Sequence, residues 1–380
     1  MHGYHDILGA FWDDARVRGV ALPDAVSAPA FCQARAKLAP GAILSVLHEV
    51  TASFDRVHGE RFRWNGRRLL AIDGTSLQLQ RSKALFNQFG SHHLAHRPSV
   101  HISTLYDALA GLPLDIVLDD ANAADRAALV PLLARTRKGD VLLLDRGYPS
   151  YDVLMWLASE GLDFVVRVKL SLAKCIQAFA DSGAAESVIV LRPTPSSVLQ
   201  EGEIELRIVR AGAPGGEPVF LLTTLDSALA PHTEVARLYT KRWTIEEHYK
   251  LTQSPHFGQG FLHAKSVRGV EQEIYAQALL LAVTRHLAAT AAAAMDEKYE
   301  EISTKGALLA VSSCITVLAF GTLTPRELVA LLERIASSLV PKQPNRSFLR
   351  RSFTPQRKWG PYGKRRDCRA KSEPAAGCLP

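Results

Sequence analysis

Apolar and polar positions follow two different periods along the chain. Between residues 67 and 170, short apolar runs at Leu69–Asp73, Val100–Tyr106, Leu114–Leu118, Val141–Asp145 and Phe164–Val168 have the length and composition of buried strands. Helical patterns at Arg126–Thr136 and Tyr151–Ser159 lie between the later runs. Strands first, then strand and helix in alternation, predict an α/β unit: a mixed sheet with helices on both faces. Residues 1–62 read as a helical N-terminal subdomain. Ser27 caps one helix there, with Pro29 in its first turn. Pro40 opens the next, whose stripe is Ile43, Leu44, Val46, Leu47 and Val50. Residues 171–228 change texture. Ser187–Leu191, Glu203–Val209 and Pro218–Thr223 are short strand patterns with Pro and Gly between them, a β-rich insertion.

Residues 229–340 return to helical spacing, at Leu238–Gln253, 269–295, 306–321 and Thr324–Val340. The stretch 306–321 is almost wholly apolar, yet it falls short of the roughly 20 residues a membrane span needs and carries Ser312, Ser313 and Thr316. It is expected to be a buried core helix, and no membrane partner is expected. The predicted organisation is therefore 1–62, a core in two parts at 63–170 and 229–340, the insertion at 171–228, and a tail at 341–380.

Composition narrows the class. Hydrophobic residues at 47% and charged residues at 22% are those of a soluble globular chain. The five cysteines, at 32, 175, 314, 368 and 378, have no zinc-like or redox-like spacing, and no secretory signal opens the sequence. Reduced thiols and a cytoplasmic location, beside the nucleoid, are expected. The net charge of +7 is unevenly spread. Residues 341–380 hold eleven Lys or Arg against two acids, so the rest of the chain is slightly acidic. Such an arm binds polyanions or is simply solvated. Trp359 and Tyr362 within it favour nucleic acid, because aromatic rings stack on bases.

Candidate chemistry begins in Leu238–Gln253. Tyr239, Arg242, Glu246, Lys250 and Gln253 recur at steps of three and four and share one helical face. That face is either a solvated one with spaced ion pairs or a phosphate-handling surface with a metal ligand. Two aspartates shift the balance. Asp73 follows Leu-Leu-Ala-Ile and Asp145 follows Val-Leu-Leu-Leu, each with Gly one or two residues on. Either alone is ordinary turn chemistry at a strand end. With Glu246 they make three carboxylates available to one site, which repel unless cations compensate them. Mg²⁺ suits such oxygen donors. The histidines at 92, 93, 96 and 101 lack partner ligands at zinc spacing and read as loop residues.

The order Asp73, Asp145, Glu246 resembles that of DDE transposases. Tyr239, Arg242 and Glu246 resemble the Tyr–Arg–Glu–Lys signature of the insertion-sequence-four family, with Gln253 where that family carries Lys. Asp145-Arg-Gly-Tyr148 is similar to its second-aspartate motif. The resemblance runs from about Ala30 to Trp359 and implies a ribonuclease-H-like core with Asp73 and Asp145 on adjacent strands. It implies two Mg²⁺ ions held by Asp73, Asp145 and Glu246, with Mn²⁺ able to substitute. It implies cut-and-paste transposition on double-stranded DNA, terminal inverted repeats and target alike, by a homodimer on DNA. Tyr239 and Arg242 would hold a DNA phosphate, Lys250 would replace the missing lysine, and Arg146 would steady Asp145 or touch DNA. Trp243 would pack in the core or, failing that, stack on a displaced base. A nuclease without strand transfer, a non-catalytic DNA-binding descendant and a structural α/β protein are the other classes.

Overall fold

The fold is taken from a computed structural model that describes residues 4–21, 24–92, 95–212, 217–253 and 262–340. The basic tail expected at 341–380 lies outside the described residues. Helices α1 (Tyr4–Val17), α2 (Ala28–Lys37) and α3 (Pro40–His58) precede the sheet. The sheet begins with β1 (Leu69–Gln78), followed by α4 (Lys83–Phe89), β2 (Ser99–Asp107) and β3 (Leu112–Asp120). Then come α5 (Leu129–Leu133), β4 (Val141–Leu144), α6 (Tyr151–Ser159) and β5 (Asp163–Val168). Next are α7 (Lys174–Ser182), β6 (Glu186–Leu191), β7 (Ile204–Ala211) and β8 (Val219–Thr223). The described residues close with α8 (His232–Thr240), α9 (Trp243–Thr252), α10 (Val267–Ala294), α11 (Thr304–Ser312), α12 (Ile315–Ala319) and α13 (Pro325–Ala336).

The eight strands of the described residues form one mixed sheet in the order β3-β2-β1-β4-β5-β8-β7-β6. β1, β2 and β3 pair antiparallel, and β4 and β5 run parallel to β1. Three antiparallel strands followed by two parallel ones, in the order 3-2-1-4-5, is the ribonuclease-H-like arrangement. The strands of the 171–228 stretch do not form a sheet of their own. β8 pairs antiparallel with β5, so β8, β7 and β6 extend the core sheet.

The central strands are buried on both sides because helices cover both faces, which is why their sequences are continuous apolar runs. Leu70, Ile72, Leu142, Leu144, Phe164 and Val166 point to one face, where they share a core with Leu47 and Phe54 of α3 and with α10. Leu69, Ala71, Leu143 and Val165 point to the other, against Val235 and Leu238 of α8 and Ile245 and Tyr249 of α9. Each Leu fully buried here contributes about 1.5–3 kcal/mol relative to an exposed one. α3 therefore packs in the principal core, along α10. The long helix at α10 and the capped helix at α13 form as expected, the latter with a Thr324–Glu327 capping box. Among the described residues no helix is long and apolar enough to cross a membrane.

Three helical expectations need correction. The helix expected over Arg126–Thr136 is a 3₁₀ turn followed by α5, because Pro131 has no N–H to donate to the Ala127 carbonyl in a helix opening at Arg126. The apolar stretch 306–321 is two helices, α11 and α12, rather than one buried core helix. The Ser313 hydroxyl donates to the Ala310 carbonyl at the break, and Leu309, Ile315 and Phe320 are exposed. Leu238–Gln253 is likewise not one helix. α8 and α9 meet at a tight turn in which Lys241 and Arg242 donate three residues back, to Leu238 and Tyr239.

Candidate catalytic site

Asp73 is not at the end of its strand. β1 runs on to Gln78, held by β2, but its parallel pairing with β4 stops at Ile72–Leu144. From Asp73 onward that side of β1 has no neighbouring strand among the described residues. Asp145, the residue after β4, leaves the sheet at the same level. Two aspartates 72 positions apart are thus delivered to one rim by a parallel pair of strands. The gap they border is covered by the turn between α8 and α9.

That turn brings in the third carboxylate and a cation. Arg242 is buried, and its Nη1 lies 3.1 Å from Asp73 Oδ2 while Nη2 lies 2.6 Å from Glu246 Oε1. The Tyr239 hydroxyl donates to Asp145 Oδ1 at 3.2 Å. The Tyr249 hydroxyl donates to the Asp73 carbonyl at 2.7 Å and fixes α9 to β1 at the site. Six residues from β1, the end of β4, α8, the turn after it and α9 therefore form one polar cluster on an apolar floor.

Its electrostatics follow from burial. Desolvation pushes the Asp73 carboxyl up to about 6; Arg242 and the Gly74 N–H oppose the shift, and Asp145 and Glu246 add to it. Burial works against the charge on Arg242, but Tyr239, Glu246, Asp73 and Asp145 outweigh it and hold its pKa above the usual value. Burial also raises Tyr148, with Asp125, Asp73, Tyr249 and Asp145 adding to it.

Asp73 and Glu246 gather around Arg242 and Asp145 is held by Tyr239, rather than the three gathering around one another. Among the described residues no three His, Cys, Asp or Glu side chains are grouped to hold a metal ion as they stand. The donor set is nevertheless of the right kind for a hard divalent cation, being oxygen alone with no sulfur or imidazole. The Tyr148 hydroxyl, buried and without a hydrogen-bond partner among the described residues, lies in the field of Asp73 and Asp145. A hydrated ion would supply such a group with a partner. Asp73, Asp145 and Glu246 fit Mg²⁺ or Mn²⁺ on those grounds once the Arg242 guanidinium gives way.

The remaining sequence candidates divide. Gln253 joins the cluster's edge, its Nε2 donating to Thr75 Oγ1 at 3.1 Å. Lys250 does not point with Gln253: it is exposed and pairs with Glu247. Arg146 is exposed and faces a cleft beside Asp145. Trp243 is not in the core as expected. It is 49% exposed, with the Arg242 guanidinium carbon 5.6 Å from its ring centroid, because the α8–α9 turn rotates it outward.

Several site residues escaped the sequence reading. Tyr249 lay three residues from Glu246, at the spacing that shares a helix face. Tyr148 closed the Asp-Arg-Gly-Tyr segment, but nothing in that segment says that it is buried. His101, grouped with loop histidines, is in β2, and its Nε2 stands 3.1 Å from Asp125 Oδ1. His93 of that group lies outside the described residues. A Cβ on Gly74 would meet His101 Nε2 at 2.6 Å and Asp125 Oδ1 at 2.9 Å, so the glycine lets this pair close over the strand beside Asp73.

Comparison with known proteins supplies the family. No match was found among curated proteins. Among solved structures, the cryo-EM structure of a piggyBac transposase synaptic complex with hairpin DNA is similar, at 12% identity and a TM-score of 0.41. That similarity covers 73% of this chain and 59% of the other, so the chain spans less than two thirds of that protein's length. The transposase DDE domain family matches residues 64–283, a span that runs from just before β1 into α10 and includes Asp73, Asp145 and Glu246. As that match spans more than half of its residues, the chain belongs to the transposase DDE domain family.

Proposed function

We propose that this chain carries out cut-and-paste transposition of an insertion sequence, cleaving DNA at the element's ends and joining those ends to target DNA. The observation that carries the reading is the gathering of Asp73 and Glu246 on one buried cation, Arg242, with Asp145 held beside them by Tyr239. The Tyr239–Arg242–Glu246 arrangement supports assignment to the insertion-sequence-four group.

Asp73, Asp145 and Glu246 would hold two Mg²⁺, or Mn²⁺ in their place. Bound there, the ions would lower the pKa of an attacking hydroxyl and offset charge on the leaving oxygen. The chain's own residues do the rest. Tyr239 orients Asp145 through its hydroxyl, and Tyr249 anchors the Asp73 backbone. Arg242, once released from the carboxylates, presents a planar fork that can bond two phosphate oxygens. Trp243, exposed beside it, offers a ring to a displaced base. Gln253 contributes donors but no charge at the lysine position, which weakens phosphate binding without removing it. Two ends must be cut together, so the working form is a homodimer on double-stranded DNA.

The test incubates the purified chain with Mg²⁺ or Mn²⁺ and DNA bearing the paired inverted repeats that flank its own coding sequence. Cleaved ends and joined products are expected. Nicks without joining would favour a nuclease of the same core, and binding without either would favour a non-catalytic descendant.

The metal requirement has a pH signature. With its carboxyl pushed up to about 6, Asp73 keeps its proton below that pH, and an incoming cation must displace it. Mn²⁺ affinity should fall by roughly tenfold per pH unit below about 6 and level off above it, as read by direct Mn²⁺ titration. A flat affinity from pH 5 to 7 would exclude Asp73 as a ligand of this kind.

A further inference from the structure

Beside the carboxylate cluster lies a cleft of about 960 Å³. Its walls come from the segment after Asp145, the residues following β5, the start of α7 and the end of β6. Five cations line it: Arg126, Arg146, Lys169, Lys174 and Arg192. Two are already committed. Arg126 donates to the Gly147 and Pro149 carbonyls and so shapes the loop after Asp145, and Arg192 pairs with Glu203. Arg146, Lys169 and Lys174 are exposed and have no acidic partner among the described residues. Asp152, the single carboxylate on the lining, accepts the Leu199 N–H. α7 starts at Lys174 behind Ala173, which has no side chain to cap the first-turn amides, so the helix's positive end adds to the same field.

We propose that this cleft is a second DNA subsite, one that holds a sugar–phosphate backbone without reading its sequence. The proposal rests on the strand-cutting reading above. It takes the DNA that has no fixed sequence, the target or the flanking donor strand, rather than the terminal repeat. The lining suits phosphate and lacks the means to read adenine. It offers ammonium, guanidinium and hydroxyl donors but no Asn or Gln amide of the kind that reads adenine. Its one aromatic residue, Tyr151, is buried with its hydroxyl bonded to the Glu201 carbonyl, and so is not available to stack on a base. Arg146 adjoins Asp145, so a strand leaving the carboxylates enters the cleft directly.

The test is the full chain carrying Lys169→Ala with Lys174→Ala, two exposed positions away from the carboxylate cluster. Binding to random-sequence duplex is measured between about 50 and 200 mM salt, where each phosphate contact contributes about 0.9 to the slope of log affinity against log salt. The variant should lose about 1.8 from that slope, twice the single-contact value. The ratio of repeat to random affinity should rise, and binding of a short repeat end that stops at the cleavage point should be unchanged. Lys169→Arg with Lys174→Arg should restore the slope. An unchanged slope overturns the subsite, and a loss confined to repeat DNA overturns its blindness to sequence. If the wild-type chain neither binds nor nicks any DNA, the strand-cutting reading itself has failed.

Discussion

Replacing Asp145 by Asn should lower metal-dependent strand cleavage by about 10³-fold or more while the chain stays folded. The size follows from charge. A carboxylate that holds a cation contributes several kcal/mol of transition-state stabilisation, and about 4 kcal/mol corresponds to three orders of magnitude in rate. The preserved fold follows from geometry. Asp145 lies beyond the last residue of β4, and its side chain accepts from the Tyr239 hydroxyl, a bond that an amide oxygen also accepts. Gel analysis of cleavage in Mg²⁺, with repeat binding measured in parallel, checks both halves. Cleavage within tenfold of wild type would remove Asp145 from the catalytic set. Loss of both cleavage and the thermal transition would mean that Asp145 is structural.

Arg242→Ala should have the largest effect on stability. The Arg242 side chain is 7% exposed and pairs with both Asp73 and Glu246. Breaking a fully buried pair costs about 3–5 kcal/mol, and the partial exposure of both carboxylates reduces this to about 2–3 kcal/mol. Lost contact with the Tyr239 and Trp243 rings adds about 0.5 kcal/mol or more. The same substitution leaves the three carboxylates uncompensated, the condition that favours a divalent cation. Mn²⁺ should therefore raise the denaturation midpoint of Arg242→Ala by more than it raises that of wild type, because in wild type the ion must first displace the guanidinium. Equal increments in the two proteins would show that arginine and metal do not compete for the same oxygens.

Much of the core was legible because its signals are local. A parallel strand buried on both faces must be apolar at nearly every position, so Val141–Leu144 and Phe164–Val168 announced themselves. α6, and the capped starts at Ser27 and Thr324, were readable because capping is settled within four residues. The failures were of another kind. Lys241 and Arg242 have nothing in their own spacing that breaks a helix; the turn there exists because α8 and α9 both lie on the same sheet face. Trp243 was expected inside because its neighbours are apolar, and that turn is what puts it outside. The continuation of β1 past Asp73 was hidden because Asp-Gly reads as a turn unless β2 is present to pair with it.

By itself the sequence determined the order of strands and helices, the three acidic positions and the resemblance that links them, because period, capping and motif spacing are properties of neighbours along the chain. Tertiary structure alone decided that Asp73 and Asp145 share a rim, since parallel pairing of β1 with β4 joins residues that no local rule connects. It likewise decided that Arg242 stands between Asp73 and Glu246, that β6, β7 and β8 extend the core sheet, and that Arg146, Lys169 and Lys174 face one cleft. Those outcomes depend on which surfaces must be buried against each other, and the burial of a side chain is set by whatever packs over it from elsewhere in the chain.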